Sequence, residues 1–395
     1  MAKLPKIAAG DAAPDEAGFL ARARRLEREL DPYTPGLTRE AAAARAGVAP
    51  ATIVKLSSNE NPLGPSPKAQ AVVERMRGQL HEYPNSSADG LRAAIGRFHD
   101  VAPEQVVVGA GSSTLMHAIV AAFTEPGGEV IALDPSFTVY REVASIHGRV
   151  PVTVPLRQQD YLLDLDRFAA TLTDKTQLVF LTRPNNPTST LIPLADFEKA
   201  ARMAAEKGAL VVSDEAYIEF ADRPDVSAVP LVRGAARAPN VMVSRTFSKA
   251  FGLANLRLGY AIGTRETARG LALANAKWPT GAVAQEAGIA AMEDTEHLAR
   301  SLKTVREGRM ALTDFFNGLG IPVAPDPQGN YVMVAVSSLD MDAAKFADRV
   351  FEAGQVLIRG DFSPRHVRIS IGTPEENARL TDAVRRVAGG KRRDG

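Results

Sequence analysis

Between about residues 68 and 290, short apolar runs alternate with longer stretches whose apolar positions recur at helical spacing. Residues 106–108, 130–133, 150–154, 178–181 and 210–212 are such runs, and 241–243 adds another after the Ala-Pro-Asn turn at 238–240. They are unbroken rather than alternating, as expected of strands covered on both faces, so the pattern predicts a mostly parallel sheet between two helical layers. Residues 256–263 read as the next strand. Ahead of this region, Phe19, Leu20, Ala23, Leu26 and Leu30 predict an amphipathic helix over 16–30, ended by the Pro- and Gly-bearing turn at 31–36. A short helix over 38–46 and a strand over 52–56 follow. After residue 294 the texture changes to a long charged helix (295–316), strands at 321–323, 331–336, 356–358 and 367–371, and helices at 342–353 and 374–387. The expected organisation is an N-terminal segment (1–55) packing with the small domain, a large α/β domain (56–293) and a smaller α+β domain (294–395).

Composition narrows the function classes. The 395 residues carry 47 basic and 46 acidic side chains, so no overall field favours nucleic acid or an anionic membrane. The Arg24-Arg25 pair and the basic end at 391–393 read as solvated charge. Cysteine is absent, which excludes disulfides, thiolate metal sites and thiol nucleophiles, and no metal site is expected. Without a membrane-length apolar run or an apolar leader, the chain reads as a cytoplasmic, soluble protein.

Candidate chemistry falls at the ends of the predicted strands, where open α/β sheets bind ligands. After 106–108 come Gly109, Ala110, Gly111, Ser112 and Ser113, opening a helix whose free N–H groups suit a phosphate. Gly109 and Gly111 also begin a dinucleotide fingerprint, with Asp134 at the end of the following strand, but Thr114 occupies the third small position. After 130–133, Phe137 could stack on a flat ring or pack in the core. After 178–181, Asn186 offers an amide. After 210–212 come Asp214 and Tyr217, a carboxylate and phenol suited to a protonated ring nitrogen and an adjacent oxygen; the plainer role for Asp214 is a salt bridge or cap. After 241–243, Thr246, Ser248 and Lys249 join Arg257, which the next strand brings back to the same edge. An amine beside hydroxyls and a guanidinium suits a phosphate-bearing aldehyde.

These residues sit in runs that resemble the fold-type-I, pyridoxal-phosphate-dependent aminotransferases, and among them the histidinol-phosphate aminotransferase branch. The matching runs are YTPG at 33–36, KLSSNENPLGPSP at 55–67, YPN at 83–85, DPSFTVY at 134–140, NNPT at 185–188, DEAYIEF at 214–220, TFSKAFGLANLRLGY at 246–260 and VRISIGTPEEN at 367–377. The resemblance implies a seven-stranded, mostly parallel sheet in the large, pyridoxal 5'-phosphate-binding domain. It implies that Lys249 forms the Schiff base and then carries the α-proton, that Asp214 keeps the pyridine nitrogen protonated, and that Tyr217 and Asn186 meet the ring oxygen. Gly111, Ser112, Ser113, Thr246, Ser248 and Arg257 would form the phosphate cup, and Phe137 would stack. Tyr83 would reach the phosphate of a neighbouring subunit, implying a homodimer with shared sites. Tyr33, Asn59, Arg359 and Arg368 would face the substrate.

The implied activity is ping-pong transfer of an amino group from an amino acid or a histidinol-phosphate-like amine to an oxo acid such as 2-oxoglutarate. Arg183, Ser189 and Asn255 depart from the family's pattern, and the stretch between Arg359 and Arg368 is short and carries Asp361. That carboxylate would either oppose a phosphorylated substrate or pair with Arg359 or Arg365. The alternative function is a decarboxylase, lyase or cyclase using the same cofactor on a basic or phosphorylated amino acid. A regulatory binding module would need a DNA-binding helix-turn-helix and a basic face, which the sequence lacks.

Overall fold

The computed structural model describes residues 18, 30, 36–224, 226–233 and 238–389. Tyr33, most of the helix expected over 16–30 and the basic end at 391–393 lie outside the described residues. Eleven strands are described: β1 (Val54–Lys55), β2 (Val106–Gly109), β3 (Glu129–Asp134), β4 (Val150–Pro155), β5 (Thr176–Thr182), β6 (Leu210–Asp214), β7 (Val241–Thr246), β8 (Gly259–Ile262), β9 (Tyr331–Ala335), β10 (Val356–Leu357) and β11 (His366–Ser370).

Seven of them form one sheet in the order β2-β8-β7-β6-β5-β3-β4. Only β8 runs against its neighbours, so six carboxyl ends and the start of β8 share one edge. The apolar runs divide between the two faces with the period of two that a pleated strand imposes. Val130, Ala132, Leu178, Phe180, Val212 and Met242 pack under the helices Ser112–Phe123, Val139–Ile146 and Arg265–Ala274. Ile131, Leu133, Val179, Leu181, Val211 and Val243 face the opposite layer, including Pro67–Met76, Leu194–Ala205 and Ala282–Glu293. Burial on both sides is why these strands read as unbroken apolar sequence.

A second core gathers Val305, Leu312 and Phe316 of the helix Thr295–Gly318 with β9, β11 and the helices Ala343–Gly354 and Pro374–Gly389. Asp294 caps the first of these helices by accepting from His297 N (3.3 Å), and Asp342 caps the second by accepting from Lys345 N (2.7 Å). The N-terminal β1 pairs in parallel with β10.

Three elements depart from the sequence reading in ways that matter to the site or its frame. Residues 50–52 form a 3-10 turn, so the strand expected over 52–56 shrinks to Val54–Lys55. The strand expected over 321–323 is a single bridge, Val323 to Val334, because Pro322 has no N–H to donate. The strand expected from 256 begins at Gly259; Ala254–Leu256 is a 3-10 turn and Arg257 adopts a left-handed backbone (φ 49°) ahead of the ladder. Among the described residues, no helix is long and apolar enough to cross a membrane.

Candidate active site

The shared sheet edge opens into a cavity of about 400 Å³ lined by Ser112, Ser113, Phe137, Asn186, Asp214, Tyr217, Thr246, Ser248, Lys249 and Arg257, with Asn59, Arg359 and Arg368 from the second core's side. The folded chain therefore brings together nearly all the residues singled out in the sequence. The exceptions are Tyr33, outside the described residues, Gly111, which shapes the cavity through its backbone, and Tyr83, which is 84% exposed and lies tilted against Trp278 with ring centres 5.3 Å apart.

An anion cradle stands at one end. Gly111 (φ +87°) leads into the helix Ser112–Phe123, and a Cβ on it would lie 2.6 Å from Arg257 Nη2. The guanidinium occupies the space a side chain would take, close to the free amides of the helix start. Gly259 makes the same approach possible from β8, since a Cβ there would meet Ser112 N at 2.4 Å. The Thr246 hydroxyl donates to Ser248 Oγ (2.9 Å) and accepts from Ser248 N (3.1 Å). Two hydroxyls, helix amides and an arginine make a donor set for a phosphate.

At the other end Asp214 is buried and held by two donors, Tyr140 Oη at 2.7 Å and Ala216 N at 3.2 Å. Burial raises its pKa to about 6 against those hydrogen bonds, and Glu215 beside it pushes the same way. A cationic partner inside the cavity would reverse that cost. Tyr140 was missed in the sequence. It also meets Thr182 Oγ1 (2.8 Å) and stacks on Phe180 at 4.7 Å. Its signal was its place three residues after Phe137, one helical turn on in the same run.

Lys249 Nζ donates to Ser58 O (3.0 Å) and lies 5.7 Å from the centre of the Tyr217 ring. Burial, then the charge of Arg368, lowers its pKa to about 7, with Arg257 and Lys55 adding and Glu60 opposing. A fraction of the amine is thus neutral near pH 7, the form able to attack a carbonyl or take a proton.

The substrate side is cross-braced. Arg368 donates to Asn186 Oδ1 and to Ser57 O, both at 2.7 Å. With its oxygen so engaged, Asn186 has its amide N–H groups to offer a ligand oxygen. Asn59 Nδ2 donates to Tyr217 Oη (3.3 Å), and Asn59 is fixed through Ser370, whose hydroxyl donates to Asn59 Oδ1 at 2.8 Å. Tyr331, whose ring centre lies 5.7 Å from the Arg368 guanidinium and whose hydroxyl donates to Asn185 O (2.7 Å), also went unnoticed in the sequence, as did Ser57 and Ser370, being small or apolar-looking residues.

Three departures resolve differently. Arg183 is fully buried outside the cavity, donating twice to Ile192 O (3.0 and 2.9 Å), 3.6 Å from Glu215 Oε1 and 5.1 Å from the Phe197 ring centre. Ser189 takes a left-handed backbone (φ 65°), and its hydroxyl accepts from Gly329 N at 2.8 Å. Asp361 pairs with Arg359 through Nε.

The cavity fits pyridoxal 5'-phosphate in chemistry: a phosphate cradle, a buried carboxylate for a ring cation, a phenol and an amide, and an amine for the aldehyde. Comparison with known proteins agrees. The aminotransferase class I and II family matches residues 51–384. A histidinol-phosphate aminotransferase of Akkermansia muciniphila is 40% identical over 91% of this chain and 96% of its own length. One from Symbiobacterium thermophilum is 37% identical over 93% and 98%. The crystal structure of a Sinorhizobium meliloti histidinol-phosphate aminotransferase in complex with pyridoxal-5'-phosphate superposes with a TM-score of 0.81 at 26% identity, covering 93% of this chain and 97% of that one. A Thermus thermophilus aspartate aminotransferase double mutant gives 0.79 at 26% identity, covering 91% and 98%. The chain belongs to the aminotransferase class I and II family, and it is a pyridoxal 5'-phosphate-dependent enzyme that moves an amino group between an amine and an oxo acid.

Proposed function

We propose that the amino donor is a phosphate-bearing amine of the histidinol phosphate type and that the acceptor is 2-oxoglutarate. The observation carrying this reading is a pair of arginines. Arg359 and Arg368 are bridge partners, exchanging backbone hydrogen bonds of 3.0 and 2.8 Å, and both line the same cavity. One bidentate arginine suffices for a carboxylate on the α-carbon, whereas a second suits a doubly charged group at the end of a longer arm. The curated relatives named above carry the same substrate in their names.

In this reading Ser112, Ser113, Thr246, Ser248 and Arg257 hold the cofactor's phosphate, Phe137 covers the ring face, and Tyr217 and Asn186 donate to its oxygen. When bound, pyridoxal 5'-phosphate supplies an aldehyde for the donor amine and a cationic ring that accepts the electron pair left by the departing α-proton. Lys249 Nζ, in its neutral form, takes that proton and returns it one carbon away, and Asp214 keeps the ring nitrogen protonated. Asn59 and Arg368 orient the donor, and Arg359 meets its distal anion. The departures at Arg183 and Asp361 are what would favour the decarboxylase, lyase and cyclase alternative. The first lies outside the cavity and the second is paired, so neither brings a new group to the α-carbon.

The test is a donor panel with 2-oxoglutarate. Histidinol phosphate should exceed phenylalanine and arginine in kcat/KM by about a hundredfold, the worth of two charge-assisted contacts. A phosphate-free donor that performs better would overturn the substrate reading.

The same reading makes the enzyme a homodimer in which Tyr83 reaches the partner's cofactor phosphate. Its support is the exposed Tyr83–Trp278 pair, 84% and 52% accessible on a single chain. The protein should elute at twice the chain mass of 42.1 kDa. Tyr83→Ala should weaken cofactor retention about tenfold, the loss of one hydrogen bond to a charged group. A fully active monomer is the contrary result.

A further inference from the structure

A ping-pong enzyme must admit two unlike anions to one pocket in turn: under the reading above, a phosphate monoester and then a dicarboxylate. The structure contains a device suited to that problem. Asp361 Oδ1 accepts from Arg359 Nε, on the arginine that stands beside Arg368. The arginine side chain is 15% exposed and the carboxylate 41%, so the pair lies at the lip with Asp361 on the outer side. Its setting is an outer chamber of about 610 Å³ that continues from the cofactor cavity through Phe137, Asn186, Arg359 and Arg368.

Two features mark the pair as built into the site. The turn carrying Asp361 is pressed onto the start of the helix Ala343–Gly354: a Cβ on Gly360 would lie 2.5 Å from Ala343 O, and Ala343 N donates to Pro364 O at 3.0 Å. The far end of the loop is tied down too, with His366 meeting Ser363 Oγ and Tyr161 Oη, both at 3.2 Å. The charges of the chamber also balance. Among the described residues lining it, Asp134, Glu142 and Asp361 oppose Arg141, Arg359 and Arg368. Without Asp361 the described lining would carry a net positive charge and hold a dianion more tightly than a monoanion.

We propose that Asp361 is a specificity-determining residue, an internal counter-ion that stays on Arg359 when the substrate brings only a carboxylate and yields it when the substrate brings a phosphate. This rests on the reading that one of the two substrates is phosphorylated. Asp361 thereby lowers the enzyme's discrimination in favour of the phosphate, so that the second half-reaction is not blocked by phosphorylated donor or product held too tightly.

The test is Asp361→Asn, which keeps an acceptor for Arg359 Nε and removes the charge. Inorganic phosphate and acetate serve as probes, as competitive inhibitors of the glutamate half-reaction and by calorimetric titration of the holoenzyme. The variant should bind phosphate about fivefold more tightly, as expected for a half-exposed ion pair, with acetate changed less than twofold. The KM for the phosphorylated donor should fall with little change in kcat. Equal tightening of both probes would reduce Asp361 to a general field effect, and weaker phosphate binding would make it an orienting partner of Arg359; either overturns the proposal. Because the probes are not substrates, the result stands apart from the donor panel. Absence of turnover with any phosphorylated amine would reject the substrate reading and with it the role of Asp361, whereas the two overturning probe results fail the proposal and leave the substrate reading standing.

Discussion

Lys249→Ala is expected to lose turnover by about four orders of magnitude or more, the scale of removing both a covalent anchor and the proton carrier. It should also lose the imine absorbance that the bound cofactor shows in the parent chain. In the parent chain, borohydride treatment and peptide mapping should place the cofactor on residue 249. Labelling elsewhere, or an active variant, would end the assignment. The variant should fold, because Lys249 donates one hydrogen bond, to Ser58 O, at the cavity wall and takes no part in the sheet ladder.

The same side chain sets a pH dependence. Its pKa is lowered to about 7, chiefly by burial and then by Arg368. Below that value the amine is protonated and cannot attack an aldehyde. Capture of added cofactor by the apoprotein should therefore quicken about tenfold per pH unit up to roughly 7 and then level off. A plateau only near pH 10, where an unperturbed lysine titrates, would contradict the buried setting.

How much of this was legible in the sequence follows from the geometry of the strands. The apolar runs could be read because both faces of β3, β5, β6 and β7 are covered. The site could be read because each run ends in a polar residue at the same edge. The side on which the neighbouring residue falls could not. Thr182 is in register with Asp214, and Asp214 with Ser244, with Thr246 two residues further along β7. Thr182, Asp214 and Thr246 all line the cavity. Arg183, Glu215 and Arg245, one residue off, gather instead into a buried charge cluster, with Arg245 Nη2 2.7 Å from Glu215 Oε2 and Nη1 2.9 Å from Glu219 Oε1. Arg183 looked like a departure at the site because sequence gives neither register nor face, and a shift of one residue exchanges the two. Tyr140 escaped for a related reason. Its hydroxyl reaches Asp214 across the sheet edge from a helix, a contact 74 residues distant in sequence.

Asp214→Asn should lower kcat by about a hundredfold to a thousandfold, the loss expected when a preorganised charge facing a developing one is neutralised. The shape of the residue is retained, and an amide can still accept from Tyr140, so cofactor should bind and the fall should appear in kcat more than in KM. A companion effect appears in stability. Burial raises the folded-state pKa of Asp214 to about 6, above its ordinary value of 3.8. A raised carboxylate favours the folded state while it is protonated. Its contribution is fully present below pH 3.8 and is lost as pH rises through about 6, leaving the apoprotein with a costly buried anion at neutral pH. Cofactor with a protonated ring nitrogen supplies the missing partner. The rise in Tm on adding pyridoxal 5'-phosphate should accordingly be larger at pH 7.5 than at pH 5, and Asp214→Asn should reduce that difference to the part set by Lys249. A Tm increment that ignores pH in the parent chain, or a variant with undiminished kcat, would show that Asp214 is a structural cap held by Tyr140 and Ala216 rather than the partner of a ring cation.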